Sequence, residues 1–94
     1  MEFMEFEFNG KKYVASEPSG YQLLKFTEKY MDDNGEVKSN VSKADMIIEL
    51  VNMIFGISIE ELKKMKWSEL QFLNEKANEY LQQILSGELG KKQE

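Results

Sequence analysis

The sequence predicts an α+β fold in which an N-terminal β-hairpin packs on a small bundle of about four helices. Three features indicate this fold: alternating apolar residues around Asn9-Gly10, apolar residues at helical spacing from Tyr21 onwards, and repeated helix-capping signals between the helical segments. We expect residues 1–87 to form a single α+β domain and the polar segment 88–94 to be a disordered tail.

The predicted hairpin turns at Asn9-Gly10, because both residues tolerate the positive φ angles of a type I′ turn. A two-residue turn places Phe6 opposite Tyr13 and leaves Phe3 and Val14 on the outer face. The other face then carries five side chains, Met4, Phe6, Phe8, Tyr13 and Ala15. A lone hairpin is marginally stable in water, so this face must pack on helices.

The helices are predicted from their periodicity and their caps. The expected bounds are Tyr21 to about Asp32, Ser42 to Phe55 with Gly56 as its stop, a short helix opened by Ser58, and about Glu69 to Leu85. Ser16 or Ser19 caps the first helix. Ser68 is the expected cap of the last helix, with Trp67 packed against Phe72 as a hydrophobic staple.

The composition argues against catalysis. Among 94 residues there is no cysteine and no histidine, and all 12 basic residues are lysine. The chain therefore has no thiolate, imidazole or guanidinium, the groups most used for nucleophilic attack, proton transfer near neutral pH and oxyanion binding. We predict that the protein is not an enzyme and uses no cofactor or metal. An enzyme would need a buried carboxylate, for which Glu49 or Asp45 is the candidate.

The charge of the chain also limits its partners. A net charge of −5 repels nucleic acid and anionic lipid, so we predict that neither nucleic acid nor a membrane is a partner. No apolar run approaches a membrane span, and the first residues do not resemble a signal peptide, which predicts a cytoplasmic protein. Lys63, Lys64 and Lys66 beside Trp67 form the basic cluster that has an aromatic neighbour, and we interpret it as ordinary helix-end charge next to the staple.

The helix from Ser42 to Phe55 is apolar over most of its circumference, because Met46, Leu50 and Met53 extend its main apolar stripe round one side. In one interpretation it is simply the central helix of the domain. In the other, these three side chains form an exposed flank that receives a partner, for which flexible methionines are well suited. We take Met46, Leu50 and Met53, with Phe3 and Val14 of the outer hairpin face, as the candidate partner-binding residues.

The order of the elements resembles that of a known family. A short sheet segment, 6–13, precedes an acidic helical body in which the segment 54–62 leads into Trp67-Ser68-Glu69-Leu70. In this the chain is similar to the small tail assembly chaperones of long-tailed bacteriophages. The resemblance implies a non-enzymatic protein that binds the helical tape-measure protein, keeps it soluble and helps the tail tube subunits to polymerise around it. The alternative is a generic adaptor or regulatory subunit that acts as a homo- or hetero-oligomer.

Overall fold

A computed structural model describes residues 3–86 and confirms the α+β prediction of a hairpin on four helices. The elements are β1 (Phe3–Phe8), β2 (Lys11–Ser16), α1 (Gly20–Tyr30), α2 (Lys43–Phe55), α3 (Ile59–Lys63) and α4 (Trp67–Ser86). The predicted tail, 88–94, and the domain boundary at residue 87 lie outside the described residues. No helix in the range 3–86 is both long and apolar enough to cross a membrane.

The hairpin has the predicted turn and register. Asn9 and Gly10 both have positive φ, 52° and 81°, and β1 pairs antiparallel with β2 so that Phe6 lies opposite Tyr13. The inner face packs on the helices through aromatic contacts, with the ring of Phe6 centred 6.2 Å from that of Phe55. A polar contact adds to this packing, since the Tyr13 hydroxyl donates to the Glu69 carboxylate at the start of α4.

Helix α1 is capped by Ser19, whose hydroxyl accepts the Gln22 N–H, which resolves the choice between the two candidate serines. The helix ends at Tyr30, two residues before the predicted end. Met31 leaves it in extended conformation and forms an antiparallel bridge with Val37, and the intervening turn is closed by the Asp32 carboxylate. The acidic run is therefore a turn that folds the chain back on itself.

Helix α2 has both predicted ends. The Ser42 hydroxyl accepts the Asp45 N–H at the start, and Gly56 ends the helix in the left-handed region with φ of 73°. This helix is central, since it contacts β2, α1, α3 and α4. Its buried side chains form the middle of a core that also includes Tyr13, Ala15, Phe26, Tyr30, Leu62, Leu73, Ala77, Tyr80 and Leu81.

The start of α4 differs from the prediction. Helix α3 is capped as expected by Ser58, whose hydroxyl accepts the Glu61 N–H. However, α4 begins at Trp67, and the Leu70 N–H bonds to the Lys66 carbonyl, so Ser68 lies inside the helix and is not its cap. Trp67 is 66% exposed, so the predicted staple to Phe72 was wrong. Phe72 packs instead on Phe8 of β1, with ring centroids 4.8 Å apart.

Candidate protein-binding groove

An apolar depression lined by two residues of the predicted flank, Met46 and Leu50, lies between α2, α4 and the segment 31–41. We call this cavity of about 600 Å³ the α2–α4 groove. Its apolar lining comes from all three parts and from one residue of α1, namely Phe26, Met31, Val37, Val41, Met46, Ile47, Leu50 and Leu81. An open apolar cavity of this size falls within the range that proteins use to bind ligands and side chains of partners.

One wall of the groove is the segment that follows α1, and backbone hydrogen bonds hold it in place. The Lys38 N–H donates to the Tyr30 carbonyl at 2.9 Å, and the Asp32 N–H donates to the Glu36 carbonyl at 2.8 Å. The Lys38 ammonium reaches back to the Glu28 carbonyl at 2.9 Å. This turn carries Val37 to the edge of the groove, where 47% of its surface stays exposed.

The opposite wall is one face of α4. Asn74, Asn78 and Leu81 line the groove at helical spacing, so a polar strip lies beside an apolar side chain. The Asn78 amide donates to both the backbone carbonyl and the side-chain oxygen of Asn74, at 2.9 and 3.2 Å. The groove thus pairs an apolar floor with fixed amides that can bind polar groups of a partner.

The three residues predicted as one exposed flank do not form one surface. Leu50 is only 4% exposed and belongs to the core, so this part of the prediction was wrong. Met46 is half-buried and lines the α2–α4 groove with Leu50, whereas Met53 is half-buried in a separate depression of about 650 Å³ beside α1. The physical reason is that Phe26 of α1 borders both depressions, so α1 packs across the flank and divides it.

The two predicted hairpin residues lie apart from the groove. Val14 is 45% exposed on the outer face of β2, and it does not line the α2–α4 groove. The backbone of Phe3 pairs with Ser16, but the side chain of Phe3 lies outside the described part of the structure. The structure therefore brings Met46 and Leu50 together and separates them from Met53 and Val14.

The carboxylates named as candidates for catalysis do not turn inward. Glu49 lies at the surface with 36% of its side chain exposed, and its carboxylate is 2.7 Å from the Lys29 ammonium. This hydrogen bond raises the pKa of Lys29, while burial, with the nearby Glu49 carboxylate, raises the pKa of Tyr30. Asp45 is exposed in the first turn of α2. Among residues 3–86, no group of three or more acidic side chains is placed to hold a metal ion.

Comparison with protein-family models, with curated proteins and with solved structures gave no match. Function is therefore inferred from the geometry of the groove. Sequence reasoning missed its outer wall, because Val37 and Val41 stand in a polar loop and were assigned to no element. Two valines in an otherwise polar loop were the signal that this loop covers apolar surface.

Proposed function

We propose that the protein is a non-enzymatic binding protein that holds an apolar face of a helical client protein in the α2–α4 groove. The observation that carries this proposal is the open cavity of about 600 Å³ with Met46 and Ile47 in its wall and Asn74 and Asn78 at its edge. An amphipathic helix bound in such a groove buries its apolar residues against the floor and leaves its polar face in water. The unbranched side chain of Met46 can adapt to different client residues.

The client class we propose is the one that the family resemblance implies, a tape-measure-like helical protein, with the tail tube subunit as a second partner. Two properties support a chaperone role of this kind. The net charge of −5 favours solubility of a complex with an apolar client, and a groove open to solvent allows the client to be released. The host bacterial cytoplasm is the compartment in which such a chaperone acts.

A generic adaptor or regulatory subunit is the second candidate. Its support is the exposed apolar surface of α1, where Tyr21 is 72% and Leu24 is 68% exposed. Tyr21 and Leu24 are three positions apart and so lie on one side of α1, and adjoining exposed apolar side chains are what a surface that meets another subunit requires. This alternative predicts a stable oligomer in the absence of any client, which light scattering of the purified protein would detect.

The proposal is tested with two matched methionine variants in the same helix. Met46→Lys puts an ammonium into the α2–α4 groove, whereas Met53→Lys puts one beside α1, outside it. Both residues are half-buried, so each lysine can extend its charge towards water, and we expect each fold to lose less than about 1 kcal/mol. Only Met46→Lys should weaken binding of a co-expressed tape-measure-like helical protein, by about tenfold or more.

Client binding would be measured by co-purification and then by titration, with circular dichroism and thermal unfolding as controls for folding. Equal binding by Met46→Lys and the wild-type protein would refute the groove as the client site. Equal loss in Met46→Lys and Met53→Lys, with both variants folded, would place the client on a broader surface of α2 and would also contradict the proposal.

A further inference from the structure

A second surface, on the other side of Ile47 from the groove, joins an exposed aromatic ring to a basic cluster. A cleft of about 290 Å³ lies where the first half of α2 meets the α3–α4 junction, and Lys63, Met65, Trp67 and Leu70 line it. Trp67 is 66% exposed although it borders this apolar cleft. We call Lys63, Lys64, Lys66 and Trp67 the basic corner.

The charges of the basic corner are not neutralised within the protein. Four other lysines lie within 4 Å of a carboxylate, namely Lys11, Lys25, Lys29 and Lys76. Lys63, Lys64 and Lys66 are exposed, and across residues 3–86 none of the three forms such an ion pair. Of these three lysines, Lys63 lines the same cleft as Trp67, and Lys66 precedes Trp67 directly in the chain.

Acidic groups are also present near the corner, and they limit what can bind. Asp45 lines the cleft, and Glu60 and Glu61 occupy the first turn of α3. The Asp45 and Glu61 side chains both stand in the first turn of a helix, where a negative charge interacts favourably with the helix dipole. The unpaired positive charge is therefore local, and it suits a short acidic segment better than a long polyanion.

We propose that the basic corner binds a short acidic peptide segment that carries one apolar residue. The apolar residue would pack in the cleft against Met65 and the face of Trp67, and flanking carboxylates would bind the lysine ammonium groups. The exposed Trp67 and the adjacent cleft would supply most of the binding energy for such a segment, because tryptophan is among the residues that contribute most to binding at interfaces. The net charge of −5 and the absence of arginine disfavour nucleic acid as the occupant of the same surface.

Trp67 is the single tryptophan of the chain, so tryptophan fluorescence reports directly on binding at the basic corner. The full-length protein is titrated with a short synthetic peptide rich in glutamate with one central leucine, and the indole fluorescence is recorded at low and high salt. We expect a blue shift as the indole leaves water, and weaker binding at high salt because exposed ion pairs are screened. A peptide in which glutamine replaces every glutamate should bind at least about fivefold more weakly.

Matched double variants test whether the corner itself is responsible. Lys63→Gln with Lys66→Gln removes two charges from the corner, and Lys12→Gln with Lys25→Gln removes two exposed charges elsewhere. The first pair should weaken peptide binding by about fivefold and the second by less than about twofold. Trp67→Ala, followed by anisotropy of a labelled peptide, should weaken it by about tenfold.

Four results would overturn the proposal. They are no saturable fluorescence change with the glutamate-rich peptide, equal weakening by the two double variants, equal binding of the glutamine peptide, or tighter binding of a single-stranded oligothymidine. Because the corner and the α2–α4 groove have only Ile47 in common, Met46→Lys should leave peptide binding unchanged. Failure of one proposal is thereby distinguished from failure of the other.

Discussion

Replacement of Leu50 by alanine separates the core role of α2 from its binding role. Leu50 is 4% exposed, and burial of a leucine side chain in a close-packed core makes Leu→Ala cost roughly 2–5 kcal/mol. Leu50 also borders the open α2–α4 groove, where water can enter the space left behind, so the lower half of this range applies, about 2–3 kcal/mol. For a domain of this length, that corresponds to a fall in Tm of about 10–20 °C.

The matched control is Met46→Ala, which removes a half-buried side chain from the same groove. We expect it to cost less than Leu50→Ala, about 1 kcal/mol, because Met46 is only partly buried and borders an open groove. Urea unfolding followed by circular dichroism gives both free energies, and an unchanged m-value shows that the unfolded states are comparable. If Leu50→Ala were as mild as Met46→Ala, Leu50 would not be core, and the reasoning that places it there would be refuted.

Three further predictions test the contacts that hold the fold. Glu69→Gln weakens the charge-assisted hydrogen bond from the Tyr13 hydroxyl and should lower the free energy of unfolding, measured in urea, by about 1–2 kcal/mol. An unchanged free energy of unfolding would contradict a role of this hydrogen bond in holding the hairpin on α4. Gly56→Ala should lower the free energy of unfolding by about 1 kcal/mol, because Gly56 has φ of +73°. Gly20 has no positive φ and has open space where a Cβ would stand, so Gly20→Ala should be neutral or stabilising. Equal effects of the two variants on Tm would refute this prediction. The Tyr30 hydroxyl is buried without a hydrogen bond among the described residues, so Tyr30→Phe should stabilise the protein by up to about 1 kcal/mol. Burial also raises the pKa of Tyr30 above 10.0, so the folded state holds the proton more tightly than the unfolded state and stability falls as the pH rises above 10. Tyr30→Phe should therefore reduce the fall in the free energy of unfolding between about pH 9 and about pH 11. A fall of the same size in the variant would contradict the assignment.

Local signals in the sequence were enough to predict the hairpin and most helix ends. The turn at Asn9-Gly10 sets the register by itself, because a two-residue loop allows one pairing of the strands. The caps at Ser42 and Ser58 need only a hydroxyl and the N–H group three residues later, so they too are decided locally. The same holds for Gly56, where the left-handed conformation favours glycine.

The start of α4 could not be predicted in this way, because tertiary packing overrides the two local signals there, the cap at Ser68 and the staple between Trp67 and Phe72. Ser68 has the residue type of a cap, but the helix already begins at Trp67. The expected partner of Trp67 in the staple was Phe72, and the structure places Phe72 against Phe8 of the hairpin, which lies far away in the sequence. Because Phe72 packs on the hairpin, Trp67 is left exposed. The sequence instead assigns Trp67 to the staple, which is why it predicts only ordinary helix-end charge at the basic corner.

The candidate site depends on which sides of α2 the other elements leave uncovered. Its apolar circumference predicts burial on more than one side, but the sequence does not say that α1 separates Met53 from Met46. The groove joins Val37 and Val41 to Asn74 and Asn78, residues more than thirty positions apart, and only the packed chain brings them together. A client helix in this groove would pack beside Met46 and Ile47, in the N-terminal half of α2. A binding function at Met46 places little demand on the stability of the fold, since Met46 is only partly buried whereas Leu50 in the same groove belongs to the buried core.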